Sequence, residues 1–228
     1  MCRMIGVIAA SPMPVRVLMR DAPRSLATLS AEHGDGWGVA TFAEGRWHVR
    51  KAPSRADGCA LFDAVASETR AHLVIAHVRQ KTVGESSLVN THPFERDGLV
   101  LAHNGTVRAT ARLAARTSSE RSRQIEGDTD SERLFAFLLT RIDEARDVAS
   151  GLHAGVRELC AIPEVGAATF LCSDGRTLFA FVLGRSLYVL DRVPDARVGA
   201  SRRTPAVLVA SEPPTSEPWR AIEPGTLV

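Results

Sequence analysis

The chain has 228 residues, 45% hydrophobic and 24% charged, and 28 Lys+Arg against 26 Asp+Glu leave a formal net charge of +2. This is ordinary globular composition, and a chain of this length buries roughly 70% of its unfolded surface without disulfide or metal staples. Acids are interspersed among the bases, so no continuous basic face for nucleic acid is written here, and no run of 18 apolar residues or charged leader marks a membrane span or secretion signal.

Ile5 to Ala9 is a short apolar run rich in β-branched residues, which predicts a buried strand close to the start of the chain. A terminus tied into a sheet does not fray, so Cys2 is expected at a fixed place at the end of that strand. Val15 to Leu29 is weakly helical and interrupted by Pro23. His33 to Gly38 carries three glycines in six residues and reads as a loop with demanding backbone angles. Trp37–Phe42 and Trp47–Lys51 flank Glu44-Gly45 as a hairpin, Ala60–Ala71 has helical spacing, and His72–Val78 is a second buried strand. A loop from Lys81 to Pro93 precedes a third strand, Leu99–Ala102, which runs into His103-Asn104-Gly105.

Ser131 to Arg146 is the clearest helix, with Leu134, Leu138 and Ile142 in step and Thr129-x-x-Glu132 as its capping box. A second helix is expected at Val148–Leu159. Strands follow at Ala167–Cys172, Leu178–Val182, Leu187–Leu190 and Ala206–Ala210. Strands, then helices, then strands predict a layered α+β fold, and with no low-complexity linker the reading is one domain over 1–228.

The phosphate-loop, dinucleotide, serine-elbow and H-E-x-x-H patterns are absent. Cys2, Cys59, Cys160 and Cys172 are too far apart for a zinc ribbon or a dense disulfide framework, which fits reduced thiols in the cytoplasm. The histidines lack ligand spacing, so no metal is expected. Cys2 stands out: once Met1 is removed, one residue carries a thiol and an α-amine with reference pKa values near 8.5 and 7.8, so the nucleophile brings its own base. The competing reading is a small hydrophobe at a strand end. Asn104-Gly105 is a strong hairpin signal, yet Arg108 to Arg116 reads as helix, and an Asn amide beside a Gly N–H also makes two donors for an oxyanion. Arg79 is either a surface charge or a bidentate grip for a carboxylate. Asp130 is either a first-turn charge on a helix or a partner for an ammonium.

Together these residues fit hydrolysis of a glutamine side chain. At that point the sequence resembles the class II glutamine amidotransferases. The resemblance rests on Met1-Cys2-Arg3, Asp35-Gly-Trp-Gly38, Ala76-His-Val-Arg79 with Thr82 and Gly84, Asn90-Thr-His-Pro-Phe94, Ala102-His-Asn-Gly105 and Gly127-Asp-Thr-Asp-Ser-Glu132, in family order. Val207–Ser211, Glu212-Pro213 and the Trp219–Val228 end resemble the stand-alone branch, which includes γ-glutamyl amidohydrolases.

The resemblance implies a four-layer αββα fold of the N-terminal nucleophile hydrolase type and a mature chain of 2–228. It implies Cys2 as nucleophile, Asn104 and Gly105 as the oxyanion hole, Arg79 for the α-carboxylate and Asp130 for the α-ammonium. Thr82 and His92 would line the pocket, with Trp37 and Gly38 shaping the loop beside it. The substrate would be glutamine or a γ-glutamyl amide, with no cofactor, metal, nucleic acid or membrane partner. The leaving group would meet the Lys81–Val89 loop and the Trp37 region. Lys81 and Leu99–Leu101 depart from the family pattern. Two alternatives stay open: a glutaminase subunit that passes ammonia to a separate synthase partner, and a catalytically silent γ-glutamyl-binding module.

Overall fold

The structure is a computed structural model and describes residues 2–192 and 204–228. β1 spans Arg3–Pro14, longer than expected, because the chain continues past a register shift between Ile8 and Met13. The weakly helical stretch splits into a π-helical turn, Val17–Asp21, and α1, Leu26–Ser30. Pro23 falls between them, where its locked φ and missing N–H end a helix. β2 (Gly36–Ala43) and β3 (Arg46–Ala52) form the expected hairpin, with Glu44 and Gly45 both at positive φ in the turn. α2 (Ala60–Glu68) stops short of Ala71, since Arg70 already opens β4 (Arg70–Arg79).

β5 (Phe94–Arg96) and β6 (Leu99–Asn104) follow, then α3 (Thr110–Ala114), α4 (Ser119–Arg123), α5 (Asp130–Ala145) and α6 (Val148–Ala161). The remaining described strands are β7 (Thr169–Ser173), β8 (Leu178–Phe181), β9 (Tyr188–Arg192), β10 (Ala206–Ala210) and β11 (Arg220–Ala221). β5, α4 and β11 were not expected from the sequence, because they are too short for a hydrophobic period to show.

The strands make two antiparallel sheets, one of order β11-β9-β10-β1-β4-β2-β3 and one of order β5-β6-β7-β8. The period of two along each strand sorts the core into three layers. Ile5 and Val7 of β1 and Val74, Ala76 and Val78 of β4 pack toward Leu26 of α1 and Phe62 and Ala66 of α2. Their alternates Met4 and Ile75 face the second sheet, where they meet Val100, Ala102, Leu171 and Ala180. Leu101, Phe170, Cys172 and Phe181 pack the other face of that sheet against Leu134, Leu138, Leu152 and Leu159 of α5 and α6. The result is the helix–sheet–sheet–helix sandwich expected. β4 and β6 are buried on both faces, which is why each reads as a nearly continuous apolar run.

Candidate active site

The same alternation positions the candidate residues. Cys2 shares the parity of Met4, and Asn104 that of Ala102, so both belong to the seam between the sheets. β1 and β4 pair Arg3 with Val78, which leaves Cys2 beside the Arg79–Gln80 end of β4. The half-buried thiol sits 3.4 Å from the Gln80 N–H, which donates to it, and 3.4 Å from the Gln80 carbonyl. Burial pushes the Cys2 thiol above its ordinary value, partly offset by the Gln80 backbone and the Arg79 charge, while Asp130 adds to the rise. The thiol therefore needs a base close by to react near neutral pH.

The β6–β7 register runs on past Gly105, with Val107 opposite Gly166 as Asn104 is opposite Thr169, so the chain does not reverse there and Asn104-Gly105 is not a hairpin turn. Gly105 has φ +155°, and a Cβ there would lie 2.2 Å from the Ala167 carbonyl oxygen. Only glycine fits that approach. Asn104 lines an open cleft and is held by its backbone register with Thr169, which leaves its side-chain amide without a hydrogen-bond partner among the described residues.

Arg79 is 3% exposed and donates to the carbonyls of Glu85 and Val83, both at 2.9 Å, and of Gly84 at 3.4 Å. No carboxylate pairs with it among the described residues. Asp130, 5% exposed, accepts from the Val107 N–H at 2.6 Å, and no cation pairs with it among the described residues. A buried charge without a counter-charge is costly, so a matched pair of opposite sign beside the thiol is suited to a zwitterion. Asn90, a motif residue to which sequence assigned no role, joins the two halves. Its amide donates to Glu85 O and Asp128 Oδ1 and accepts from Asp128 N, tying the loop that grips Arg79 to the start of α5.

Thr82 is exposed and its hydroxyl accepts from Thr106, next to Gly105, at 3.2 Å. His92, expected in the pocket, and Trp37 and Gly38, expected to shape the loop beside it, contact other parts of the chain. Trp37 has the parity of Val39, is fully buried and stacks edge-on against Phe62 at 5.2 Å, so it faces the helical layer and not the seam. His92 is also buried, between the rings of His77 at 4.3 Å and Phe94 at 4.6 Å. Gly38 faces the seam, and a Cβ on it would lie 2.1 Å from the His92 carbonyl oxygen. Its role is to let that segment approach. The Lys81–Val89 loop is bound to Arg79, which places it on the side of the Arg79 grip.

Sequence spacing hid a cluster: His77, His92 and His103 meet in the interior although they are far apart in the chain. His77 Nε2 lies 3.2 Å from the His103 carbonyl, and His103 bonds Ser131 Oγ and Ala167 O. Burial drives all three toward the neutral form, His77 down to about 3. Among the described residues no group of His, Cys, Asp or Glu is arranged to hold a metal, and no helix is long and apolar enough to cross a membrane.

The model of the class-II glutamine amidotransferase family matches residues 1–228. The chain is 29% identical to YafJ of Escherichia coli (strain K12), covering 99% of this chain and 95% of YafJ. It is 30% identical to the γ-glutamyl-hercynylcysteine sulfoxide hydrolase of Mycobacterium tuberculosis (strain H37Rv), over 93% of this chain and 85% of that one. Among solved structures, a glutamine aminotransferase class-II domain protein from Silicibacter pomeroyi superposes with a TM-score of 0.68 at 21% identity, covering 99% of this chain and 93% of that one, a likeness of fold. The family match across residues 1–228 means that the chain belongs to the class-II glutamine amidotransferases.

Proposed function

We propose that this enzyme hydrolyses glutamine or a γ-glutamyl amide through a γ-glutamyl thioester on Cys2. The observation that carries the reading is the pair of buried, unpaired opposite charges, Arg79 and Asp130, both close enough to Cys2 to act on its thiol. They match the α-carboxylate and α-ammonium that every γ-glutamyl compound presents.

With Cys2 as the first residue, its α-amine takes the thiol proton as sulfur bonds to the γ-carbonyl carbon. The Asn104 amide and the Gly105 N–H hold the oxyanion. As the tetrahedral centre collapses, the C–N bond breaks and the leaving nitrogen takes the proton from the α-ammonium of Cys2. A water molecule then attacks the thioester, the S–C bond breaks, and glutamate leaves with the thiol restored. Four free cysteines among the described residues support a reducing, cytoplasmic setting for this chemistry.

The test uses protein whose N-terminal residue has been verified as Cys2 by intact mass. Glutamate release from glutamine or γ-glutamyl amides is expected, and Cys2→Ala abolishes it while binding of substrate persists, since the pocket charges remain. Substantial turnover by Cys2→Ala would overturn the thioester route.

A further inference from the structure

Asn104 also lines a cleft of about 340 Å³ that contains neither Arg79 nor Asp130. Its other walls include Arg3, Arg24, Arg185 and Glu212. Three arginines face one glutamate there, and Glu212 pairs with both Arg3 and Arg24. Arg185 has no ion pair among the described residues, and its Nε is buried without a partner. The backbone beneath it is firmly held: the single proton of Thr169 Oγ1 lies within reach of Arg185 O at 2.9 Å and Leu183 O at 3.1 Å, and the oxygen accepts from the Leu183 and Arg185 N–H groups. Thr169 itself stands opposite Asn104 in the sheet register. Arg185 is therefore fixed relative to the oxyanion residue through two backbone steps. Arg3, another lining residue, follows the proposed nucleophile directly and donates to the Cys2 carbonyl at 3.1 Å.

With the glutamyl charges held at Arg79 and Asp130, the leaving group of a substrate whose oxyanion lies at Asn104 extends away from them. The cleft is the space it enters. We infer that this cleft is the leaving-group subsite and that it takes an anion: the carboxylate of an amino acid or short peptide whose amine carries the γ-glutamyl group, gripped by Arg185. The inference rests on the γ-glutamyl reading above and adds a substrate class to it. Arg185 lies outside every motif that carries the family resemblance, between Glu132 and Val207, in a stretch the sequence marks only as strand and turn.

γ-Glutamylglycine and γ-glutamylglycinamide differ only in whether the leaving group ends in a carboxylate or a neutral amide. With glutamine as a third substrate they separate the possibilities. The expected result is a kcat/KM about ten-fold or more higher for γ-glutamylglycine than for the amide, the range of a charge-assisted hydrogen bond. That ratio falls as salt rises, collapses toward one in Arg185→Gln and partly returns in Arg185→Lys. Arg79→Ala instead raises KM for all three substrates alike. Equal turnover of the two dipeptide analogues by the unaltered enzyme overturns the inference and leaves the γ-glutamyl reading standing. A ratio that survives both high salt and Arg185→Gln overturns the assignment to this cleft. Failure to cleave any of the three overturns the functional reading itself.

Discussion

Asn104 shows how one residue type in one register acquires a role. Its backbone belongs to a fully buried strand, yet it lines a cleft shared with Arg3, with no hydrogen-bond partner for its amide among the described residues. In the proposed reaction this donor would stabilise the charge that develops on the γ-carbonyl oxygen. Asn104→Ala is expected to lower kcat by about 10²–10³ with little change in KM, because the donor acts mainly in the transition state. Steady-state kinetics on γ-glutamyl substrates checks this. An effect confined to KM would instead mark Asn104 as a ground-state contact. Gly105 next to it tolerates no side chain, since the Ala167 carbonyl oxygen occupies the space of a Cβ.

At the scale of elements, the start of α5 does two jobs. Thr129 caps the helix by accepting from the Glu132 N–H at 3.2 Å, as its spacing predicts. The reciprocal half of the capping box does not form. Glu132, 3% exposed, accepts from the N–H groups of Glu126 and Gly127 and pairs with Arg96 at 3.0 Å. It thereby holds the segment just before Asp130 and, through Asn90 and Asp128, the loop that grips Arg79. Thr129→Ala is expected to cost about 1 kcal/mol of stability, the usual worth of a cap, and to raise KM because Asp130 lies in the turn it secures. A denaturant midpoint measured alongside KM tests both parts, and a loss of stability with KM unchanged would detach the cap from the site.

At the scale of the whole molecule, the three histidines stacked where the layers meet make stability depend on pH. His77, His92 and His103 have folded-state pKa values below the ordinary 6.5, because burial disfavours their charged forms. The unfolded chain therefore binds protons that the folded one refuses. Stability is full above about pH 6.5 and declines as pH falls from there, by up to about 1.4 kcal/mol per pH unit for each histidine, continuing for His77 down to about 3. Urea midpoints measured between pH 8 and 5 are expected to fall below pH 6.5. His92→Phe should flatten the decline by about one proton, and a wild-type midpoint unchanged down to pH 5 would refute the account.

Periodicity, the Thr129 cap, the Glu44-Gly45 turn and the ordered motifs were local signals, and local chemistry settled most of the elements and the identities of the candidate residues. Even the facing of Cys2 and Asn104 across the seam follows from counting by two along β1 and β6. What no local pattern contained was the distance between strands remote in sequence. The histidine cluster, the burial of Trp37 and His92 and the joining of Arg3, Asn104 and Arg185 in one cleft depend on how the two sheets stack. That stacking is decided by burial summed over the whole core, so a side chain's neighbours become visible only when the layers close.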